Sequence, residues 1–223
     1  MMARIEPVTP DAHPEVGDMW DDIVETLGRV PNFIATVAHS PAIVRWLVPF
    51  VATLHREGAG SVLDARTKNL VILKTSLVNG CEYCVGHNKV MGESLGVTEE
   101  YVEAMERDDY RESDLFDERE KAVIWWADEV TRNTARYNRE CYENLLRFFD
   151  EPEVVELTLL SGLFNMVNRF NDSLHVDLEG MESREGIVRT RRLSERQVTE
   201  FVRRRVAHVD AVAESDRTVG AAG

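Results

Sequence analysis

The stretch that decides the fold is NLVILKTSLVNGCEYCVGHN, residues 69–88. Its first half is strongly apolar and ends at Asn79-Gly80, a pair that favours the end of a helix. Its second half opens with Cys81 and Cys84, two cysteines separated by two residues. Such a pair has three interpretations: a redox dithiol, half of a zinc site, or two small residues in a hydrophobic core.

Charge and composition exclude several kinds of partner. The chain of 223 residues carries 26 Lys and Arg against 40 Asp and Glu, a formal net charge of -14. A surface this acidic repels nucleic acid and anionic membranes. No stretch has the order of a signal peptide or the roughly 20 apolar residues of a membrane span. We therefore expect a cytoplasmic protein that binds neither nucleic acid nor membrane.

Helical periodicity runs through nearly the whole sequence. In GDMWDDIVETLG, for example, Met19, Ile23 and Leu27 share one helical face, and Gly28 is a plausible end. Pro49 is expected to kink or divide the helix of residues 41–58. No segment shows sustained alternation of apolar and polar residues, so the predicted fold class is all-α. The arginine-rich C-terminal region is predicted to contain one amphipathic helix, about residues 194–209.

Two windows of 20 residues align without gaps, residues 69–88 and residues 156–175, ELTLLSGLFNMVNRFNDSLH. We interpret them as an internal duplication, with repeat one at about 41–107 and repeat two at about 117–180. Residues 181–223 then form a C-terminal arginine-rich helical extension, whose arginines are expected to pair with a neighbouring subunit. The polar positions that correspond are Cys81 with Asn168, Cys84 with Asn171, Asn69 with Glu156, and Asn88 with His175.

An apolar helix ending in Asn-Gly, with CxxC opening the next helix, resembles the alkylhydroperoxidase D / carboxymuconolactone decarboxylase-like superfamily. The stretches RVPNFIATVAHSPAIV, residues 29–44, and FNMVNRFND, residues 164–172, also resemble its two-repeat members. The resemblance covers residues 15–180. It implies an alkylhydroperoxidase D-like helical fold with two internal helical repeats, and a homo-oligomer, either a trimer or a hexamer.

The resemblance also implies roles for the cysteines. In the redox members the second cysteine, here Cys84, attacks a peroxide, and the first, here Cys81, resolves the product into a disulfide. A glutamate before the first cysteine and a histidine after the second relay protons. In this chain Asn69 and Asn88 stand at those two positions, and His87 lies one residue before the second. The relay therefore does not transfer unchanged.

Physical reasoning from the residues gives a partly different assignment. Unsatisfied N–H groups at a helix start lower a thiol pKa, and from this effect alone Cys81 would ionise first. His87, three residues after Cys84, lies on the same helical face and is a candidate general base. Zinc needs about four ligands, and the chain has one CxxC with Cys141 far away. We therefore expect neither a metal nor another cofactor.

Glu156 and His175 are a second set of candidate site residues. Together with Asn88 they could form a proton relay or line a pocket. The two residues would meet only if the chain turns between them, as it must in the first repeat. The plainer interpretation is that these side chains satisfy buried helix ends and subunit contacts.

The leading functional expectation is a peroxiredoxin-type, thiol-dependent peroxidase whose catalytic residues are Cys84, Cys81 and His87. Its partners would be a peroxide or other small-molecule substrate and a dithiol reductant. The alternatives are a cofactor-independent decarboxylase-like lyase and a non-catalytic oligomeric member that has lost its relay.

Overall fold

The apolar helix predicted from the opening stretch lies at the centre of the structure. The structure is a computed structural model that describes residues 2–220, with side chains for residues 2–211. Within that part of the chain there are eleven α-helices and no β-strand, which confirms the all-α class. The helices are α1 (Pro14–Leu27), α2 (Asn32–Val37), α3 (Pro41–His55), α4 (Ala65–Asn79), α5 (Glu82–Glu93), α6 (Glu99–Glu106), α7 (Glu118–Thr131), α8 (Arg139–Leu145), α9 (Glu151–Leu174), α10 (Met181–Arg189) and α11 (Glu195–Gly220).

Helix α4 is buried on every side. Four consecutive residues, 70–73, are each 0% exposed, and consecutive residues point in different directions around a helix. The neighbours that cover α4 are α5, α7 and α9. Lys74 is buried as well, and its ammonium group pairs with Asp108 and donates to the carbonyl oxygen of Met105 at 3.0 Å. A helix apolar on all faces is expected at the core of a helical domain.

Local sequence signals set most helix ends. Gly28 and Gly80 end α1 and α4 in the left-handed conformation, with φ of 81° and 73°, where a side chain would be strained. Asp64 caps α4 by accepting the N–H of Thr67 at 2.8 Å. Reciprocal capping boxes begin α7 at Asp117 and α9 at Asp150. The predicted ends at Gly28 and Gly80 are confirmed.

The structure corrects two expectations about the helices. Helix α3 continues through Pro49, which is buried within it, so proline does not divide this helix. Packing of α3 against α1, α9 and α11 stabilises the helix across that position. The C-terminal helix predicted at about residues 194–209 is present as α11, which begins at Glu195 and packs on α1 and α3. A second helix, α10, was not predicted and packs on α5. Residues 221–223 of the predicted extension lie outside the described residues.

Several C-terminal arginines bind within their own chain. Arg204 and Arg205 both pair with Asp22 of α1, and Arg205 is only 5% exposed. Arg192 pairs with Glu57, the loop residue beside its backbone. These arginines therefore have partners within the chain, and their expected pairing with a neighbouring subunit stays a prediction. The contacts of Arg204 and Arg205 with Asp22 attach α11 to α1.

Candidate active site

The turn between α4 and α5 positions the two cysteines. After the left-handed Gly80, the backbone N–H of Cys81 donates to the carbonyl oxygen of Ser76 at 3.0 Å. Cys81 is then the N-cap residue of α5, and Cys84 lies in the first turn of that helix. Both thiols are free and buried, with exposures of 0% and 2%. The sequence thus places a reduced dithiol at a helix start.

The two sulfurs have different surroundings. The pKa of Cys84 is lowered from its ordinary value, chiefly because Cys81 donates a hydrogen bond to it, and against the opposing effect of burial. Asn171 adds a second donor, its Nδ2 lying 3.4 Å from the Cys84 Sγ. The same shared hydrogen bond and burial raise the pKa of Cys81. Cys84 is therefore the easier thiol to ionise, whereas the helix-start argument alone favours Cys81.

Cys84 lines a cavity that Cys81 does not reach. The cavity has a volume of about 60 Å³, room for a few water molecules or for the functional group of a small molecule. Its walls are mostly apolar and come from α1, α2, α3, α5, α9 and α10. The polar side chains in its lining, besides Cys84, are Arg29, His55, Arg56, Tyr83, His87 and Asn88. Apolar walls with a few convergent polar groups are the lining of a small-molecule site, here a small one.

The ring of His87 is held between a carboxylate, Glu179, and a guanidinium cation, Arg29. Its Nε2 lies 2.6 Å from Oε2 of Glu179, and its Nδ1 lies 2.8 Å from Nη2 of Arg29. Arginine can only donate, so Nδ1 accepts and the proton of the neutral ring sits on Nε2. Burial, and then the positive charge of Arg29, lower the pKa of His87, although the bond to Glu179 opposes them. Neither ring nitrogen is free to take a thiol proton directly.

Glu179 joins several segments of the chain. It accepts the phenol O–H of Tyr83 at 3.0 Å and the backbone N–H of Asn32 at the start of α2. Burial alone would raise the pKa of this carboxyl, but the hydrogen bonds from His87 and Asn32 hold it at about 2. Glu179 is therefore ionised at neutral pH and is stabilised by three donors.

A second chain of hydrogen bonds links the end of α3 to α5 beside the cavity. Nη1 of Arg56 donates to Nδ1 of His55 at 3.3 Å, and Nε2 of His55 donates to Oδ1 of Asn88 at 3.2 Å. The amide of Asn88 donates to the carbonyl oxygen of Cys84 at 2.9 Å. Burial, then the nearby Arg56, place the pKa of His55 well below 6.5. Asn69, which donates to the Asn88 carbonyl at 3.0 Å, lies outside the cavity lining.

Glu156 and His175 do not meet. Helix α9 is continuous from Glu151 to Leu174, so 19 residues of helix separate them by about 28 Å. The first repeat turns at Gly80, whereas the aligned residue here is Val167, which favours continuing the helix. Glu156 instead accepts the backbone N–H of Val62 at 2.8 Å. The expected pairing of Glu156 with His175 as a relay is wrong.

Sequence reasoning missed four residues of this site, and it assigned Tyr83 to core packing. The four are Arg29, His55, Arg56 and Glu179, which come from separate loops and helix ends. No sequence motif links the four. The stretch RVPNF, which begins with Arg29, indicated the family resemblance but gave no sign that its arginine lies in the site. Among the described residues, no group of three or more His, Cys, Asp or Glu side chains converges as metal ligands would.

Comparison with known proteins places the chain in a class of helical folds. It superimposes with a TM-score of 0.66 on the alkylhydroperoxidase AhpD core of a peroxidase-related protein from Ralstonia eutropha JMP134, at 17% identity over 84% of this chain and 98% of that chain. A structure of the debrominase Bmp8, a cysteine-to-alanine variant in complex with 2,3,4-tribromopyrrole, gives 0.68 at 19% identity over 85% and 98%. At such identities the likeness shows the fold alone.

Sequence comparison supplies the family. The model of the carboxymuconolactone decarboxylase family matches residues 41–129, which include the dithiol. The uncharacterized protein YnjA of Escherichia coli K12 is 27% identical over 69% of this chain and 82% of its own length. Over residues 41–129, about two fifths of its length, the chain is therefore similar to the carboxymuconolactone decarboxylase family, and its fold is like that of the AhpD core. Among its described helices, none combines the length and apolar character needed to cross a membrane.

Proposed function

We propose that the protein is a thiol-dependent oxidoreductase that reduces hydroperoxides with the Cys81–Cys84 dithiol. The observation that carries the proposal is the asymmetry of the pair. Cys84 lines the cavity and accepts hydrogen bonds, whereas Cys81 is fully buried beside it and donates one. This arrangement supports Cys84 as the attacking thiolate and Cys81 as the resolving thiol.

The proposed reaction has two steps inside the protein. The thiolate of Cys84 attacks one peroxide oxygen, the O–O bond breaks, and the leaving alkoxide takes a proton to become an alcohol. Cys84 is then a sulfenic acid. Cys81 attacks that sulfur, a disulfide forms, and water leaves. An external dithiol returns both thiols and is itself oxidised, which places the reaction in a reducing compartment such as the cytoplasm.

Glu179 and its partners position the wall of the cavity beside Cys84 and do not repeat the relay of the family. Tyr83 and His87 both donate to Glu179 and both line the cavity. Their protons are held by the ionised Glu179, so the leaving alkoxide takes its proton from solvent water. For the lyase alternative, His87 would have to act as a free base, but Arg29 and Glu179 occupy both of its nitrogens.

The test is peroxide consumption with dithiothreitol as the reductant and tert-butyl hydroperoxide as the substrate. Wild type should turn over, and both Cys84→Ser and Cys81→Ser should lose turnover. Only Cys81→Ser should accumulate a sulfenic acid that dimedone traps, since it retains the attacking sulfur. Cys141→Ser is the matched control, because Cys141 is a third buried cysteine outside the cavity lining. Wild type that neither consumes peroxide nor forms the disulfide with excess peroxide would be a non-catalytic member.

We also propose a homo-oligomer, a trimer or hexamer. Helix α3 exposes Ile43, Trp46 and Phe50 on its outer face, with Trp46 51% exposed. Helix α9, which packs against α3, exposes Leu159 and Met166. Large apolar side chains grouped on neighbouring helices support burial against another copy of the chain. Light scattering during size exclusion measures the mass, and a monomer at micromolar concentration would contradict this part of the proposal.

A further inference from the structure

Arg56 is a buried cation without an acidic partner. It lies at the end of α3, is 2% exposed, and lines the same cavity as Cys84. Its Nη2 donates to the carbonyl oxygen of Leu27 at 3.2 Å and its Nη1 to His55, while its Nε has no hydrogen-bond partner. Both acceptors are neutral, so nothing in these contacts balances the charge. A buried charge left in this way is strongly unfavourable.

The surroundings add positive charge to Arg56, whereas the nearby acids act on the other cations, Glu179 on Arg29 and Glu156 with Asp64 on Lys68. Arg29 lines the same cavity, and its Nε also lacks a partner. Burial, then the charge of Arg29, lower the pKa of Arg56 to about 9, which still leaves it protonated at neutral pH. The Nζ of Lys68 donates to the Arg56 carbonyl oxygen at 2.6 Å, which places a third cation nearby. The carboxylate of the cluster, Glu179, already accepts three hydrogen bonds.

We propose that the cavity binds a small organic carboxylate, whose anionic group pairs with Arg56 and Arg29 while its apolar part contacts the walls beside Cys84. A guanidinium presents parallel N–H donors that match the two oxygens of a carboxylate. The apolar walls, which include Phe33 and Phe164, suit a short hydrocarbon chain. A phosphate ester carries more charge and more oxygens than these walls can solvate.

The carboxylate subsite and the thiol belong to one rigid wall. The chain of hydrogen bonds from Arg56 through His55 and Asn88 to the Cys84 carbonyl fixes the guanidinium relative to the helix that bears the sulfur. A carboxylate anchored at Arg56 therefore lies in the same cavity as the Cys84 side chain. Together with the proposed function, on which this step rests, the substrate class is a hydroperoxide that carries a carboxylate. The binding itself does not depend on peroxidase chemistry.

The test compares unreactive ligands that differ only in charge. Calorimetric titration of the reduced wild-type protein with acetate and propionate, and with acetamide and propionamide, separates the anionic group from the apolar part. We expect each carboxylate to bind about 10- to 100-fold more tightly than its amide, the range of a charge-assisted pair. Inorganic phosphate should bind no better than the amides. Equal binding of acid and amide, absence of carboxylate binding, or tighter binding of phosphate would each overturn the proposal.

Variants locate the site. Arg56→Met should lose the preference for carboxylate over amide, and Arg56→Lys, which keeps the charge, should recover part of it. Arg45→Met is the control, because Arg45 lies on the same helix α3 and pairs with Glu15 outside the cavity. If Arg56→Met unfolds, Arg29→Gln gives the same readout at the second guanidinium. A preference unchanged in the folded variants overturns the proposal. Cys81→Ser, which should lose turnover at a residue outside the cavity lining, should keep the carboxylate preference and separates this failure from failure of the redox function.

Discussion

His87 and Glu179 are 92 residues apart in the sequence, yet the ring nitrogen of one lies 2.6 Å from the carboxylate of the other. The two side chains are 5% and 9% exposed. Because Arg29 donates to the remaining nitrogen, the contact joins a neutral imidazole to an ionised acid rather than two opposite charges. The pair brings the segment after α9 onto the helix that carries the dithiol, so the cavity is closed by residues distant from the CxxC.

Acid should unfold this region in a window set by Glu179. Its folded pKa of about 2 lies below the ordinary 4.5, so the stability it contributes is present above pH 4.5 and is lost as pH falls toward 2. The full effect is about 3 kcal/mol. Glu179→Gln should therefore lower stability at neutral pH and flatten the acid part of the curve, as measured by urea unfolding. Glu99→Gln, which removes an exposed acid paired with Lys89, should change little. An acid slope that Glu179→Gln leaves intact would contradict the assignment.

Removal of the donor beside Cys84 should make its thiol harder to ionise. Cys81→Ala deletes the largest cause of the lowered pKa, and Asn171→Ala deletes a smaller one. Thiolate absorbance during a pH titration should show the Cys84 transition below pH 9.0 in wild type, a large upward shift in Cys81→Ala and a smaller one in Asn171→Ala. Cys141→Ala is the control, since burial raises the pKa of Cys141 to about 12, outside this range. If Cys81→Ala titrates as wild type does, the shared hydrogen bond is not what lowers the pKa.

Protonation of a buried histidine should give a second loss of stability on acidification, which begins at a higher pH than the loss from Glu179. His55 is neutral in the folded protein well below 6.5, whereas the unfolded chain binds the proton near that value. Its contribution is thus complete above pH 6.5 and declines as pH falls below it. His55→Gln keeps an amide able to contact Asn88 and takes up no proton, so urea unfolding should show a shallower decline. His39→Gln, at an exposed histidine bonded to the Glu6 carbonyl, should retain the wild-type slope. The same slope in both variants would exclude His55 as its source.

The sequence predicted what local signals control, and it failed where position in space decides. The helical class, the helix ends at Gly28 and Gly80, and the dithiol at the start of α5 follow from periodicity and turn residues. The alignment of the repeats transferred a turn to the second copy, but Val167 replaces the glycine that makes it. Helix α10 was missed because MESREGIVR has few apolar residues, and its helix depends on packing against α5.

The residues around the sulfurs were hidden for a related reason. Arg29 and Glu179 have no motif, and each looks like an ordinary surface charge in the sequence. They become site residues only because α2 and the segment before α10 fold over α5. The side chain of Tyr83 has both an apolar ring and a hydroxyl. The hydroxyl accepts the Phe33 N–H at 3.1 Å and donates to Glu179. Its alignment with Phe170 detected only the ring.

A close contact between Gly28 of the α1 end and Gly186 of α10 should control how stably α10 packs against α1. Gly28 ends α1 with φ of 81°, and a Cβ there would collide with the carbonyl oxygen of Gly186 in α10. Gly28→Ala must therefore displace α10, which carries the cavity residue Ile187, and should cost about 2–3 kcal/mol or more. Gly80→Ala, with φ of 73° and open space around its Cβ, should cost only about 1–2 kcal/mol for the left-handed backbone. Urea unfolding measures the two losses.

Gly162→Ala completes the comparison, because Gly162 lies inside α9 with no atom near its Cβ position. That change should increase stability by about 0.5–1 kcal/mol, the helical preference of alanine over glycine. Equal losses in Gly28→Ala and Gly80→Ala would mean that backbone strain alone matters and that α10 does not press on Gly28. A larger loss in Gly28→Ala, together with weaker carboxylate binding in the folded variant, would tie the contact of α1 with α10 to the integrity of the cavity.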